Sequence, residues 1–275
     1  MNDTIQGTFH FHSTYSHDGK STLPEIASAL QKLNLSFCVM TDHFEDFDAA
    51  KFDRYIEQLK ETSQSSGFIF IPGIEVHLSG IDTILFPVQN YEDVARFESE
   101  GVESQPPMFK VLAHPSKYHF GEIATHLAKY RLDGIELWNQ QADGRHMPPL
   151  AFWEQFKSLT QSCNYKFFFG CDLHSANLTV ANVLSLRLPG CRTSEAVVNA
   201  LTSGNFISRN NPTGISFGNE SIEFDEWLRS MSKQSFHKGR LLHSVRSCLR
   251  AFYKWLPRDA QHSLNDVKNF VRNKV

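Results

Sequence analysis

From Thr8 to Cys171, short apolar runs alternate with longer amphipathic ones, the pattern that parallel α/β folds impose on a sequence. Thr8–His12, Ser36–Thr41, Phe68–Val76, Ile81–Val88, Phe109–His114, Gly134–Trp138 and Lys166–Cys171 read as strands. Their Val, Ile, Phe and Thr content suits a pleated, buried surface. Ser21-Thr22-Leu23-Pro24-Glu25 opens a predicted helix, with Thr22 able to cap it and Pro24 preset for its first turn. Ala49–Ser63, Phe120–Tyr130 and Met147–Thr160 are predicted helices as well, while Pro72-Gly73 interrupts the third strand. Past Ser175 the style changes. Ser194–Ser203 reads as a helix, and Asn205–Arg209 and Ile215–Phe224 read as β structure around Gly218-Asn219. Arg240–Leu256 spaces Leu241, Val245, Cys248, Leu249, Phe252 and Leu256 as one helix face, with Arg246, Arg250 and Lys254 along another.

This pattern predicts a barrel-sized α/β body over residues 1–224 and a basic amphipathic helical extension over 225–275. A chain of 275 residues is within the size that a single α/β barrel reaches. Charge sharpens the division. Lys233–Val275 carries ten Lys and Arg against two Asp, a formal +8, and the preceding 232 residues a formal −11. The tail is therefore expected to dock on the acidic body rather than to meet anionic lipid, the second partner its basic and apolar faces would suit. An acidic body also argues against tight nucleic-acid binding, which needs a basic stripe. No apolar run approaches the roughly 20 residues of a membrane span, and Met1-Asn2-Asp3-Thr4 has no signal-peptide character. Five cysteines without C-x-x-C spacing read as reduced core residues, and the expected location is cytoplasmic.

The candidate chemistry sits where the strands end. His10 and His12 close the first strand, two apart, so their imidazoles are expected to converge on one point, an arrangement that suits zinc. A lone His-x-His is weak evidence, but Asp18, Asp42-His43, Glu75, His114, Asp172 and His174 recur at or near later strand ends. So many carboxylates and imidazoles crowded together without a cation would carry a heavy desolvation cost. Asp18 competes with His17 for its role, and Asp42 is expected to support His43 or cap the next turn. Glu136 either faces the site or serves structure. Lys20, Lys117, Arg145 and Arg209 lie in loops near these positions and are candidates for binding phosphate. His119, His126 and His146 are expected to be solvated. Phe167-Phe168-Phe169 is expected in the core, and there is no P-loop, G-x-S-x-G or dinucleotide fingerprint.

In order, His10-Phe11-His12-Ser13-Thr14-Tyr15-Ser16-His17-Asp18-Gly19, Thr41-Asp42-His43, Pro72-Gly73-Ile74-Glu75, Leu112-Ala113-His114-Pro115 and Gly170-Cys171-Asp172-Leu173-His174 resemble the PHP (polymerase and histidinol phosphatase) superfamily of metal-dependent phosphoesterases. The region over Glu195–Arg209 is similar to the segment after the last motif in small stand-alone members. The resemblance implies a distorted (β/α)7 TIM-like barrel with two or three divalent metals at the C-terminal ends of its strands. It implies one metal on His10, His12, Glu75 and Asp172, and a second on Asp18, His43 and His174. A third would use Glu75, His114 and a histidine from the intervening strand. Ile81-Asp82-Thr83-Ile84-Leu85 offers Asp or Thr there, so a weak or absent third site is expected, with His77 as the alternative ligand.

The implied activity is hydrolysis of a phosphate ester by metal-activated water, with a phosphorylated small molecule as the expected substrate and Asp172 or His114 handling the proton on the leaving oxygen. Zinc, manganese and iron all suit the mixed donors. The rival readings are a nuclease or nucleotide phosphodiesterase, a protein tyrosine phosphatase, and a regulatory binding module with a vestigial metal site.

Overall fold

A computed structural model describes residues 4–101, 107–154, 165–188, 190, 192–219 and 226–231. Two compact units meet in sequence at Trp227/Leu228, and the barrel belongs to the first. The basic segment predicted beyond residue 232 lies outside the described residues, as do Cys163, Cys191, Cys248 and the later part of the helix predicted over Met147–Thr160.

Strand β1 (Thr4–Phe11) leads to helix α1 (Leu23–Lys32), whose Glu25 carboxylate accepts from the Thr22 backbone N–H at 2.8 Å. Strand β2 (Phe37–Met40) runs through Thr41 into the two-residue β3 (Asp42–His43) and on to α2 (Ala49–Ser66), capped by Asp48. Pro72-Gly73 divides the third stave into β4 (Ile69–Ile71) and β5 (Ile74–Leu78). Then come β6 (Ile81–Phe86), α3 (Tyr91–Glu100), β7 (Phe109–Leu112), α4 (Phe120–Tyr130), β8 (Gly134–Asn139), the short α5 (Gln140–Asp143) and β9 (Lys166–Gly170). Strand β10 (Asn182–Arg187), α6 (Ser194–Ser203), β11 (Phe206–Asn210) and β12 (Ser216–Gly218) complete the order. Helix α3 and strand β10 are absent from the sequence expectation. Asn90 and Gly101 bracket α3 as cap residues, a signal present in the sequence.

The strands pair in two six-stranded orders, β12-β11-β10-β1-β2-β4 and β3-β5-β6-β7-β8-β9. The two are continuous through Thr41 and through Pro72-Gly73. At the other seam, the chain just past β9 pairs with β1. Cys171 N donates to Phe9 O at 2.9 Å and His12 N to Leu173 O at 2.8 Å, with a parallel bridge between Phe11 and Leu173. The result is a circuit of staves in which β9 lies beside β1, the arrangement of a distorted α/β barrel.

One stave departs from the all-parallel pattern. β6 is antiparallel to both β5 and β7. Only Ser79-Gly80 separates β5 from β6, both at positive φ (50° and 89°), so the chain makes a tight hairpin with no room for a crossover helix. That hairpin sets Asp82 opposite His77.

Aromatic rings fill the space inside the barrel. Phe168 is fully buried, stacks on Phe9 with centroids 4.7 Å apart, and packs against Phe86, Phe109 and Phe206. It pairs in register with Glu136, so the aromatic plug is one strand away from a buried carboxylate. Replacing Phe168 by Ala is expected to cost about 3–5 kcal/mol through lost burial and a residual cavity. Urea unfolding of the variant checks this, and a loss below about 1 kcal/mol would contradict the packing account.

Candidate metal centre

His10, His43, His114 and Asp172 stand at or just past the C-terminal end of a strand, and Glu75 is the second residue of β5. Asp18 and His174 lie in the loops beyond β1 and β9. At three of these positions the backbone bends. The β1–β2 register slips between Phe9 and Phe11, and the intervening His10 takes φ 70°. His114, just past β7, has φ 29°, and Asp172, just past β9, has φ 54°. Non-glycine residues rarely adopt such values, and they cluster where surrounding structure enforces them, often at functional sites. Plain alternation along β1 would suffice to bring His10 and His12 to one face. The observed convergence uses a bulge instead.

The ring nitrogens meet closely. His10 Nε2 and His12 Nε2 face each other at 3.1 Å. Asp172 Oδ1 lies 3.4 and 3.3 Å from those two atoms, and Glu75 lies 3.6 Å from the first and 3.5 Å from the second. A second group gathers beside it: Asp18 Oδ2 is 2.9 Å from His174 Nε2 and 3.5 Å from His43 Nε2, and the His12 and His174 rings stack at 4.4 Å. His12, Asp18, His43 and His174 offer ligand atoms within 4.8 Å of one another, as do His10, His12 and Glu75, and His10, His114 and Asp172. Glu75, Asp82 and His114 form a further such group.

Buried neighbours fix these side chains. Glu136, 1% exposed, contacts His10 Nδ1 at 2.9 Å through Oε1, while its Oε2 accepts from the His114 backbone N–H and the Asn139 amide. It thus orients one ligand and the backbone of another. Gly170 makes room for it, since a Cβ there would lie 1.6 Å from Glu136 Oε1. Asp42 accepts from the backbone N–H and hydroxyl of both Ser13 and Ser16. Ser16 Oγ in turn accepts from His43 N at 2.9 Å, so Asp42 supports His43 through Ser16 and also secures the loop that carries Asp18.

The remaining expectations divide. Lys117 reaches the centre, with Nζ 3.7 Å from Asp172 Oδ2. Lys20 lines a separate cavity of about 450 Å³ with Glu25, Lys32 and Asn177. Arg209 is on the exposed side of β11, between buried Ser208 and Asn210, and the Arg145 carbonyl accepts from Asn210. No contact described at the centre involves these three side chains. His17 turns away to Asp46 at 2.8 Å and is largely exposed. His77 belongs to none of the ligand groups among the described residues and pairs with Asp82 at 2.6 Å. In the intervening strand Asp82, not Thr83, faces the centre. Thr83 is buried and bonds His126 Nε2 at 2.8 Å. That corrects the expectation for His126, which is 3% exposed and packed against Tyr130, and whose pKa burial and Lys129 lower to about 4. His119 and His146 are exposed as expected.

The electrostatics ask for positive charge. Burial alone would discourage a proton on His10, but Glu136, Asp172 and Glu75 outweigh it and hold its pKa well above the ordinary value. Burial opposes ionising Asp172 and Glu75 too, yet the nearby imidazoles, His10 foremost, keep both well below the usual carboxylate range. Burial likewise works against charging His43, and its bond to Glu75 overrides this and lifts it to about 9. Asp18 Oδ1 is buried with no hydrogen-bond partner. Converging ring nitrogens, ionised carboxylates and an orphaned buried oxygen are a donor set that fits divalent cations.

A family model for the PHP domain matches residues 8–144. The chain carries a PHP domain. Asp172 and His174 lie beyond the matched stretch, and the fold returns them to the same point. A protein named "Probable histidinol-phosphatase" from Thermotoga maritima is 32% identical over 79 residues, which span 28% of this chain and 33% of that relative. This chain thus covers about a third of the curated relative's length. Among solved structures, a two-domain protein from Bacteroides vulgatus containing a predicted PHP-like metal-dependent phosphoesterase aligns at TM-score 0.51 and 16% identity, over 75% of this chain and 65% of that one. PsfC from Pseudomonas syringae aligns at TM-score 0.50 and 17% identity, over 72% of this chain and 88% of that one. These two likenesses concern the fold. No helix among the described residues is long and apolar enough to cross a membrane.

The raised pKa of His43 gives a pH dependence with a definite sign. Its folded value, about 9, exceeds the unfolded 6.5. Its contribution to the metal-free protein is therefore complete below pH 6.5 and is lost as pH rises through 9. A cation must displace that proton, so metal affinity rises over the same interval. Melting temperature without metal should fall from pH 6.5 to 9 while zinc affinity, measured by competition with a chelating dye, tightens. Affinity that is flat across this interval would contradict the assignment of His43.

Proposed function

We propose that this chain is a metal-dependent phosphoesterase acting on a small phosphate monoester. The observation that carries the reading is the overlap of ligand groups on His10, His12 and Glu75, which would hold two or three divalent ions side by side. His10, His12, Glu75 and Asp172 would serve one position, and Asp18, His43 and His174, with His12 shared, its neighbour. Bound divalent ions at such positions supply activated water and neutralise phosphoryl charge.

The chain's own groups do the rest. Asp172, kept ionised, accepts a hydrogen bond from the attacking water and orients it. Lys117 is part-exposed beside Asp172 and offsets charge on the phosphoryl oxygens from the solvent side. Glu136 holds the His10 ring and the His114 backbone against displacement when substrate arrives. His114 is assigned to ligation instead of proton transfer, because its Nε2 faces Glu75 at 3.0 Å. Monoester is preferred over nucleic acid on charge, since residues 1–232 carry a formal −11 and would repel a polyanion.

Turnover of p-nitrophenyl phosphate and of its bis-ester, with zinc, manganese or iron restored to the stripped protein, tests this. The monoester should be the better substrate. His12→Ala and Asp172→Asn should abolish turnover with the fold intact by circular dichroism. Lys117→Ala should lower kcat/KM about tenfold to 100-fold, the worth of one charge-assisted contact. Full activity in the stripped protein, or in His12→Ala, would refute the reading.

A further inference from the structure

We propose that Asp143 is a positioning residue for Lys117, acting through the Ser116 hydroxyl to hold the lysine beside Asp172. The inference rests on the phosphoesterase reading, in which Lys117 meets the phosphoryl oxygens. Lys117 ends the short 3-10 turn Pro115–Lys117 that follows His114. Its side chain is 45% exposed, and Asp172 Oδ2, at 3.7 Å from Nζ, is too far for a hydrogen bond. On a flexible four-carbon stem, that ion pair is a loose hold. Where the ammonium stands therefore depends on where the turn carries its backbone.

The turn is fixed from the side of β8. Ser116 Oγ donates to Asp143 Oδ1, and Asp143 Oδ2 accepts from the Asn139 N–H at 2.8 Å. Asn139 is fully buried, and its Oδ1 accepts from Gln141 N and Ala142 N at the start of α5. Its amide Nδ2 donates to Glu136 Oε2 at 2.9 Å, the same oxygen that accepts from the His114 N–H at 2.7 Å. The turn is thus gripped before its start by Glu136 and, one residue from Lys117, by Asp143. Both grips lead back to Asn139.

The plainer reading makes Asp143 a brace for the fold and nothing more. The turn, however, closes on itself without it: Lys117 N donates to His114 O at 3.0 Å and Tyr118 N to Pro115 O at 3.1 Å. What the Ser116–Asp143 bond adds is the orientation of that closed turn against α5. His114 has its own tie through Glu136, so loosening the Ser116 bond moves the lysine first.

The test is a double-mutant cycle on the full, metal-replete chain. It is read by turnover of p-nitrophenyl phosphate and by calorimetric binding of inorganic phosphate. Ser116→Ala should lower kcat/KM and phosphate affinity about tenfold, since displacing a group by an ångström costs up to about 100-fold. In a Lys117→Ala background the same change should cost less than about twofold. Asp143→Ala should follow that pattern, and Ser116→Thr, which keeps the hydroxyl, should restore most of the loss. Metal per chain should match wild type in Ser116→Ala, which separates the lysine from the ligands. Equal losses with and without Lys117, or metal lost from Ser116→Ala, overturn the proposal. A normal Ser116→Ala beside an impaired Lys117→Ala also overturns it, and the role of Lys117 then stands. A normal Lys117→Ala overturns that role and the proposal together, with metal-dependent turnover intact. Wild type that neither turns over substrate nor binds phosphate overturns the phosphoesterase reading as well.

Discussion

Glu75, Glu136 and Asp172 are each no more than 3% exposed, and all three gather around the His10 ring. Burying that much negative charge is costly unless positive charge or donors meet it. In the metal-free protein this charge drives the pKa values of His10 and His43 up, and the His10 imidazole in turn holds Glu75 and Asp172 down. A divalent cation answers the same demand more compactly. Much of the upper barrel is shaped by this need: the bulge at His10, the left-handed backbone at His114 and Asp172, the bare Gly170 beside Glu136, and the serine-rich loop bound to Asp42.

Such strain is sustainable because the other part of the barrel is conventional. Phe9, Phe86 and Phe168 interlock in the core, and their burial stabilises the frame that holds the irregular strand ends. The division is common in α/β barrels, where packing sits in the barrel body and chemistry sits on the loops at the C-terminal face. In this chain the link between the two is short. Glu136 and Phe168 are register partners on adjacent strands, so the aromatic plug lies directly beside the residue that orients His10.

Most of the ligands are legible in the sequence because they punctuate apolar runs. His10, His12, His43, His114 and Asp172 stand at or just past strand ends, and strand ends on one side of a parallel barrel converge. The features hidden from sequence depend on local backbone detail. Whether Asp82 or Thr83 faces the centre is a matter of register, and register is set by the Ser79-Gly80 turn, itself a recognisable two-residue hairpin signal. Glu136 is ambiguous in sequence because its role is to grip a histidine and a backbone amide, contacts that spacing does not reveal. His126 reads as a solvated residue, yet helix α4 turns it inward onto Thr83. The basic loop residues show the reverse problem. Charge near a motif is easily seen, but only Lys117 is brought to the ligands.

Whether these side chains converge on cations is open to direct observation. Anomalous X-ray scattering from crystals of the metal-replete protein, collected on both sides of the zinc and manganese absorption edges, locates and identifies each ion. Separate peaks are expected, one enclosed by His10, His12 and Glu75 and another by His12, Asp18, His43 and His174. Bound metal located elsewhere, with neither position showing a peak, would contradict the convergence.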